Sequence, residues 1–247
     1  MQQKGVTIRD CKLENTSDEY SCSQSAIAVY DSDTIIEGCI IDHLTPVPIT
    51  VGVNNSEITR CANIIIRANQ IKSRGHSWQG AISFAGRAEL IEDVIISDNI
   101  IECYNYTDKD GNTESAIQMS GRFRNVIISN NKCNGCRHGV LVIQKAETEE
   151  YLSTNGFNFE NIYDGLIISD NIFTTNNVSV LVQFIKKDDG SSDDVTRLNV
   201  TGNICNQIRY EGQSELNYRA KNSVARIIGS GYAPLSSNYY IANNSRL

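Results

Sequence analysis

Two carboxylates four residues apart, Asp110 and Glu114, are the best placed groups for bond-breaking chemistry, in a polar segment reading NYTDKDGNTES (105–115) just ahead of an apolar run. Hydrolysis of a glycosidic bond uses two carboxyl groups about 5 to 9.5 Å apart, one protonated to assist the leaving group and one ionised. An elimination instead uses Arg or His as base, with a cation to neutralise a uronate, and His138 is the candidate for that role. The segment KSRGHSWQG (72–80) adds Arg74, His76 and the only tryptophan, Trp78, whose apolar face and single N–H donor suit stacking on a sugar ring. Gln118, Arg122 and Arg137 are expected to line the same face as substrate-binding groups. Each assignment has a plainer alternative. Trp78 also fits packing over the edge of the fold, and lone histidines such as His76 and His138 are more often surface or turn residues.

Metal chemistry has weaker support. Asp108, Asp110, Asn112 and Glu114 alternate like the start of a calcium loop, where oxygen ligands converge on one cation. Thr113 stands where such a loop needs Gly, and the twelfth position is Met119 rather than Glu, so a solvated turn is the better reading and calcium the alternative. Cys133 and Cys136 have redox or half-zinc spacing but no second pair accompanies them. No metal ligands and no cofactor are assigned. Two further segments carry aromatic or acidic groups: residues 145–164 with Tyr151, Phe157, Phe159 and Tyr163, and residues 207–222 with Tyr210, Glu211, Glu215, Tyr218 and Arg219. The first forms a sugar platform or packs as a satellite cluster; the second forms a cleft wall or a subunit contact, with Glu211 and Glu215 as a second, weaker carboxylate pair. The acidic run 188–194 reads as a solvated loop.

The elements that position these groups come from a repeat. One eight-residue phrase (apolar, variable, apolar, two polar, Asn, variable, apolar) starts at Val6, Thr34, Ile64, Val94, Val126, Leu166, Leu198 and Tyr239. Its apolar spacing is two and β-branched residues dominate, which specifies strands rather than helices. A second apolar strand follows in each interval: Ala26 to Tyr30, Ile49 to Val53, Ala81 to Phe84, Ala116 to Met119, Val140 to Ile143, Val180 to Phe184 and Val224 to Ile228. Stacking equivalent strands at about 4.8 Å gives a parallel β-solenoid of about eight coils, on the order of 40 Å long. The sixth position of the phrase, Asn69, Asn99, Asn131, Asn171, Asn203 and Asn244, forms an asparagine ladder, with Cys11 and Cys39 in the first two coils. The second position points outward, yet it is Ile35, Ile65, Ile95, Ile127 and Ile167, a column that calls for a cover.

The chain has 247 residues, 40% apolar and 21% charged, with a net charge of −7 and a pI near 5.0. That balance excludes a phosphate-backbone partner and an anionic membrane surface, and no run is long enough for a membrane helix. One β-helix domain is expected over 1–247, as part of a longer chain. The cysteines fall mostly in core slots and are expected to be free thiols.

The phrase and its ladder resemble the pectate-lyase-like right-handed parallel β-helix superfamily of polysaccharide lyases, epimerases, glycosidases and bacteriophage tailspikes. That resemblance implies an all-β, single-stranded fold handling polysaccharide. The lyase arginine and calcium-carboxylate pattern is not reproduced. The uncovered isoleucine column, the unexported start and the free cysteines are most like a tailspike, which implies a homotrimer on a phage tail that folds in the host cytoplasm; a secreted lyase or epimerase relative is the alternative. A non-catalytic adhesion module and a structural shaft remain open beside the depolymerase reading.

Overall fold

The structure, a computed structural model, describes residues 5–14, 25–43, 47–52, 60–73, 80–84, 90–103, 115–120, 122–143, 163–175, 179–184, 195–205, 217–218, 225–229 and 239–246. Every regular element among them is a strand. In chain order they begin with β1 (Val6–Arg9), β2 (Lys12–Glu14), β3 (Ile27–Val29), β4 (Thr34–Glu37), β5 (Ile40–His43) and β6 (Ile49–Val51). The next six are β7 (Arg60–Arg67), β8 (Gln70–Ser73), β9 (Gly80–Phe84), β10 (Leu90–Ser97), β11 (Ile100–Cys103) and β12 (Ser115–Ser120). Then follow β13 (Arg122–Ser129), β14 (Lys132–Asn134), β15 (His138–Ile143), β16 (Tyr163–Ser169), β17 (Ile172–Thr174) and β18 (Val180–Phe184). The last are β19 (Val195–Thr201), β20 (Ile204–Cys205), β21 (Asn217–Tyr218), β22 (Ala225–Gly229), β23 (Tyr239–Ala242) and β24 (Ser245–Arg246).

These strands form three eight-stranded sheets: β1-β4-β7-β10-β13-β16-β19-β23, β2-β5-β8-β11-β14-β17-β20-β24 and β21-β22-β18-β15-β12-β9-β6-β3. Apart from β21, each strand pairs in parallel with its equivalent one repeat away, the signature of a parallel β-solenoid. All eight phrase starts fall in one register row, Val6, Thr34, Ile64, Val94, Val126, Leu166, Leu198 and Tyr239. The third sheet departs from the expected eight coils: β21 joins β22 antiparallel, so complete three-strand coils are fewer than eight.

Alternation explains the core. Ile64, Ile66, Val94, Ile96, Val126, Ile128 and Ile168 are fully buried, and each such side chain contributes about 1.5 to 3 kcal/mol relative to exposure. The corner between the first and second sheets is a single left-handed residue at the fifth position of the phrase. Asp10, Gly38, Ala68, Asp98, Asn130, Asp170, Gly202 and Asn243 all have φ between 53° and 67°. Glycine, Asn and Asp tolerate this region, whereas other L-residues lose about 1 to 2 kcal/mol there. Ala68 is the misfit. Ala68→Gly is therefore expected to raise stability by about 0.5 to 1 kcal/mol in urea unfolding, the relief of strain exceeding the added unfolded-state entropy.

The bend turns the next residue inward, and the ladder follows. Asn69 Nδ2 donates to Asn99 Oδ1 at 3.0 Å, Asn99 to Asn131 at 2.9 Å, Asn131 to Asn171 at 3.0 Å, Asn171 to Asn203 at 2.9 Å and Asn203 to Asn244 at 2.9 Å. Cys39 substitutes chemically as well as positionally. Its thiol donates to the Ile8 carbonyl at 3.7 Å, the equivalent of the Ile36 carbonyl that Asn69 Nδ2 reaches at 3.0 Å.

Outside, charges alternate between coils. Glu37 lies between Arg9 at 2.9 Å and Arg67 at 3.0 Å, and the Arg67 guanidinium, then Arg9, holds its carboxyl below the usual range despite some desolvation. Glu92, with its side chain only 9% exposed, is clamped by Arg60 and by Arg124 at 3.2 Å.

Candidate functional site

Three strands of the third sheet begin where the segments singled out for chemistry end. These neighbouring strands, β9, β12 and β15, begin at Gly80, Ser115 and His138, which form one register row. In the sequence Trp78 stands two residues before Gly80, Glu114 immediately before Ser115, and Arg137 immediately before His138. One sheet edge, with steps of about 4.8 Å, thus receives the chain from all three segments. Trp78, Arg74, His76, Asp110 and Glu114 themselves lie outside the described residues, as do residues 145–162, 188–194 and 206–216.

The described members are deeper than expected. His138 is 2% exposed and shares strand parity with the core residues Val140 and Val142. Arg137 is half-buried. Gln118 alternates with Ile117 and Met119 and so belongs to the outer row, yet it is only 1% exposed. Its register neighbours Ser83 and Leu141 are equally buried, so both faces of this sheet are closed in its central strands. Gln118, expected to face outward among the substrate-binding groups, is thus buried. Arg122 is also elsewhere: it opens β13 on the first sheet, opposite Leu90, away from the row of Ser115.

Behind this edge sits a buried polar corner. Ser115 is fully buried and its Oγ has no hydrogen-bond partner among the described residues. Nearby in the chain of coils, Thr175 Oγ1 and Ser179 Oγ are 3.2 Å apart, and the Ser179 carbonyl accepts from Gly139 N at 2.8 Å. Orphaned hydroxyls of this kind are uncommon in interiors, because the desolvation of the group is left uncompensated.

The seven described cysteines are thiols, and six are buried. Burial first, and the neighbouring Cys103 second, push the Cys133 thiol up, which opposes thiolate chemistry at the Cys133 and Cys136 pair. Among the described residues no three His, Cys, Asp or Glu are grouped to hold a metal ion.

A second surface has the opposite character. On the outer face of the first sheet Ile95, Ile127 and Ile167 are 36 to 37% exposed, with Ile35 and Ile65 half-buried in the same row. Beside them runs a column that the sequence reading missed: Asp33, Asn63, Asp93 and Asn125 are left-handed at φ 53° to 61°, each one residue before a phrase start. The signal was an Asx at four consecutive coils. Asn63 Nδ2 donates to Asp33 at 2.8 Å and Asn125 Nδ2 to Asp93 at 3.1 Å. At Gly165 the column is spanned, with Arg197 reaching Asn125 Oδ1 at 3.2 Å while gripping Asp164 through two contacts of 2.9 Å. That bidentate carboxylate raises the Arg197 guanidinium further above its ordinary range. Asn63, Asp93, Asn125, Ile65, Val94, Ile95 and Ile127 line a shallow groove of ≈ 360 Å³. Compared with known protein families, curated proteins and solved structures, the chain matches none, so both surfaces are interpreted from their own geometry.

Proposed function

We propose that this chain is a tailspike-like β-helix that binds and cleaves a bacterial surface polysaccharide at the N-terminal edge of the third sheet, with Glu114 and Asp110 as the acid and base pair and Trp78 as a sugar platform. The register row Gly80, Ser115, His138 supports this reading, since it delivers three candidate-bearing segments to adjacent coils. Arg74, His76 and Arg137 then face a substrate with hydroxyl or carboxylate groups, and His138 is the base if the reaction is an elimination. Incubation with capsule and lipopolysaccharide preparations is expected to yield new reducing ends or unsaturated products. Glu114→Gln and Asp110→Asn are expected to lower that rate at least 100-fold, within the range of general acid and base catalysis. Absence of products together with absence of binding would sink the reading. A second reading, a homotrimeric shaft on a phage tail, is favoured by the uncovered isoleucine row, and sedimentation of the parent as a monomer counts against it.

A further inference from the structure

We infer that the outer face of the first sheet is a second glycan site, holding an uncharged, extended polysaccharide that lies along the stack of strands. The ligand class rests on the reading above; the surface is separate from the third-sheet edge. Three observations select this occupant. The apolar stripe Ile35, Ile65, Ile95, Ile127, Ile167 is left open by the other described residues, and three of its members are more than a third exposed. It is one side chain wide, so it offers a few hundred Å² at most against the roughly 800 Å² per partner of a stable protein interface. A sugar ribbon needs only that width, with C–H faces on the stripe and hydroxyls directed to either side.

Both sides are built for hydroxyls. One wall is the Asn63, Asp93, Asn125 column of the groove. The other is a hydroxyl row in continuous register, the half-buried Ser129, Ser169 and Thr201, with the buried Ser97 at its end. The charged groups of this face already have partners within it. Glu92 is held by Arg60 and Arg124, Asp164 by Arg197, and Glu37 by Arg9 and Arg67, while Asp33 and Asp93 each accept from an asparagine. A charged polymer would compete with these exposed pairs, whereas a neutral one leaves them intact. The strand repeat of about 4.8 Å is close to the length of one hexopyranose in an extended chain, so successive sugars meet equivalent groups.

The test measures binding of cellohexaose, laminarihexaose and maltohexaose, with the corresponding trisaccharides, to the parent, to Ile95→Lys/Ile127→Lys and to Ile100→Lys. Ile100 is 43% exposed on the second sheet and serves as the control for an added surface charge. At least one hexasaccharide is expected to bind more tightly than its trisaccharide, the double variant to lose 10-fold or more, and the control to match the parent. Unfolding midpoints show that the variants remain folded. Equal binding by parent and double variant overturns the inference. So does a parent that sediments as an oligomer and a double variant that sediments as a monomer, which assigns the stripe to a second copy of the chain. If no neutral oligosaccharide binds while Glu114-dependent products still form from capsule, the inference falls and the third-sheet reading stands.

Discussion

Asn131→Ala is expected to cost about 4 kcal/mol of unfolding free energy, among the largest losses any single side chain of this protein can produce. Asn131 is 1% exposed and serves three coils at once. Its Nδ2 donates to Asn171 Oδ1 at 3.0 Å, to the Ile96 carbonyl at 2.9 Å and to the Ser129 carbonyl at 3.1 Å. Its Oδ1 accepts from the backbone N of Asn99 at 3.1 Å and from Asn99 Nδ2 at 2.9 Å. Truncation strands several buried groups together, each worth about 1 to 3 kcal/mol when unpaired and water-free, and their sum is reduced by local relaxation. Asn244 provides the comparison. It accepts from Asn203 at the same 2.9 Å, but it is half-buried, so water replaces much of what Asn244→Ala removes and the expected loss is about 1 to 2 kcal/mol. Urea midpoints for the two variants, with slopes compared to the parent, check the pair. Equal losses would mean that the amides do not act as a continuous buried ladder.

Gly139→Ala is expected to destabilise by about 2 to 3 kcal/mol, by overpacking rather than by backbone strain. A Cβ at Gly139 would fall onto the ring of Phe173, whose Cδ1, Cε1 and Cγ are the nearest atoms. Phe173 is fully buried on β17, between Cys133 and Cys205 in register, so the ring has no free direction. The missing side chain on one coil is the space that an oversized one occupies on the next. Phe173→Leu alone leaves a void and costs about 1 to 2 kcal/mol, yet it also makes room at Gly139. The double variant is therefore expected to be more stable than the sum of the singles predicts, by at least about 1 kcal/mol. Strict additivity in this cycle would refute the proposed interlock.

Most of the architecture was legible because the repeat carries two independent signals, apolar residues at alternate positions and an amide at the bend. The eight phrase starts all lie in one register row, and Val180 to Phe184 matches β18 to the residue. Other features leave no such mark. Ala68 gives no hint of its left-handed backbone, because the turn is imposed by neighbouring coils rather than by its own preference. Parity assigns Gln118 to the outer row but says nothing about what lies over that row, and Gln118 is only 1% exposed. Arg122 was expected on the same face as Gln118, whereas Gln118 lies on β12 of the third sheet and Arg122 opens β13 of the first. The Asx column at Asp33, Asn63, Asp93 and Asn125 was visible in principle, since those residues recur one place before every phrase in four coils.

The direction of the backbone hydrogen bonds has a mechanical consequence. The covalent chain winds around the rod, whereas the bonds joining Leu90, Ile91 and Glu92 to Arg60, Cys61 and Ala62 run along it. A pull on the two ends is thus resisted by hydrogen bonds and packing alone, with no peptide bond in the line of force. Extension then proceeds as unzipping, each detached layer freeing a length of thread on the order of 100 Å, and a load across the rod meets the far stiffer hoops of the chain itself.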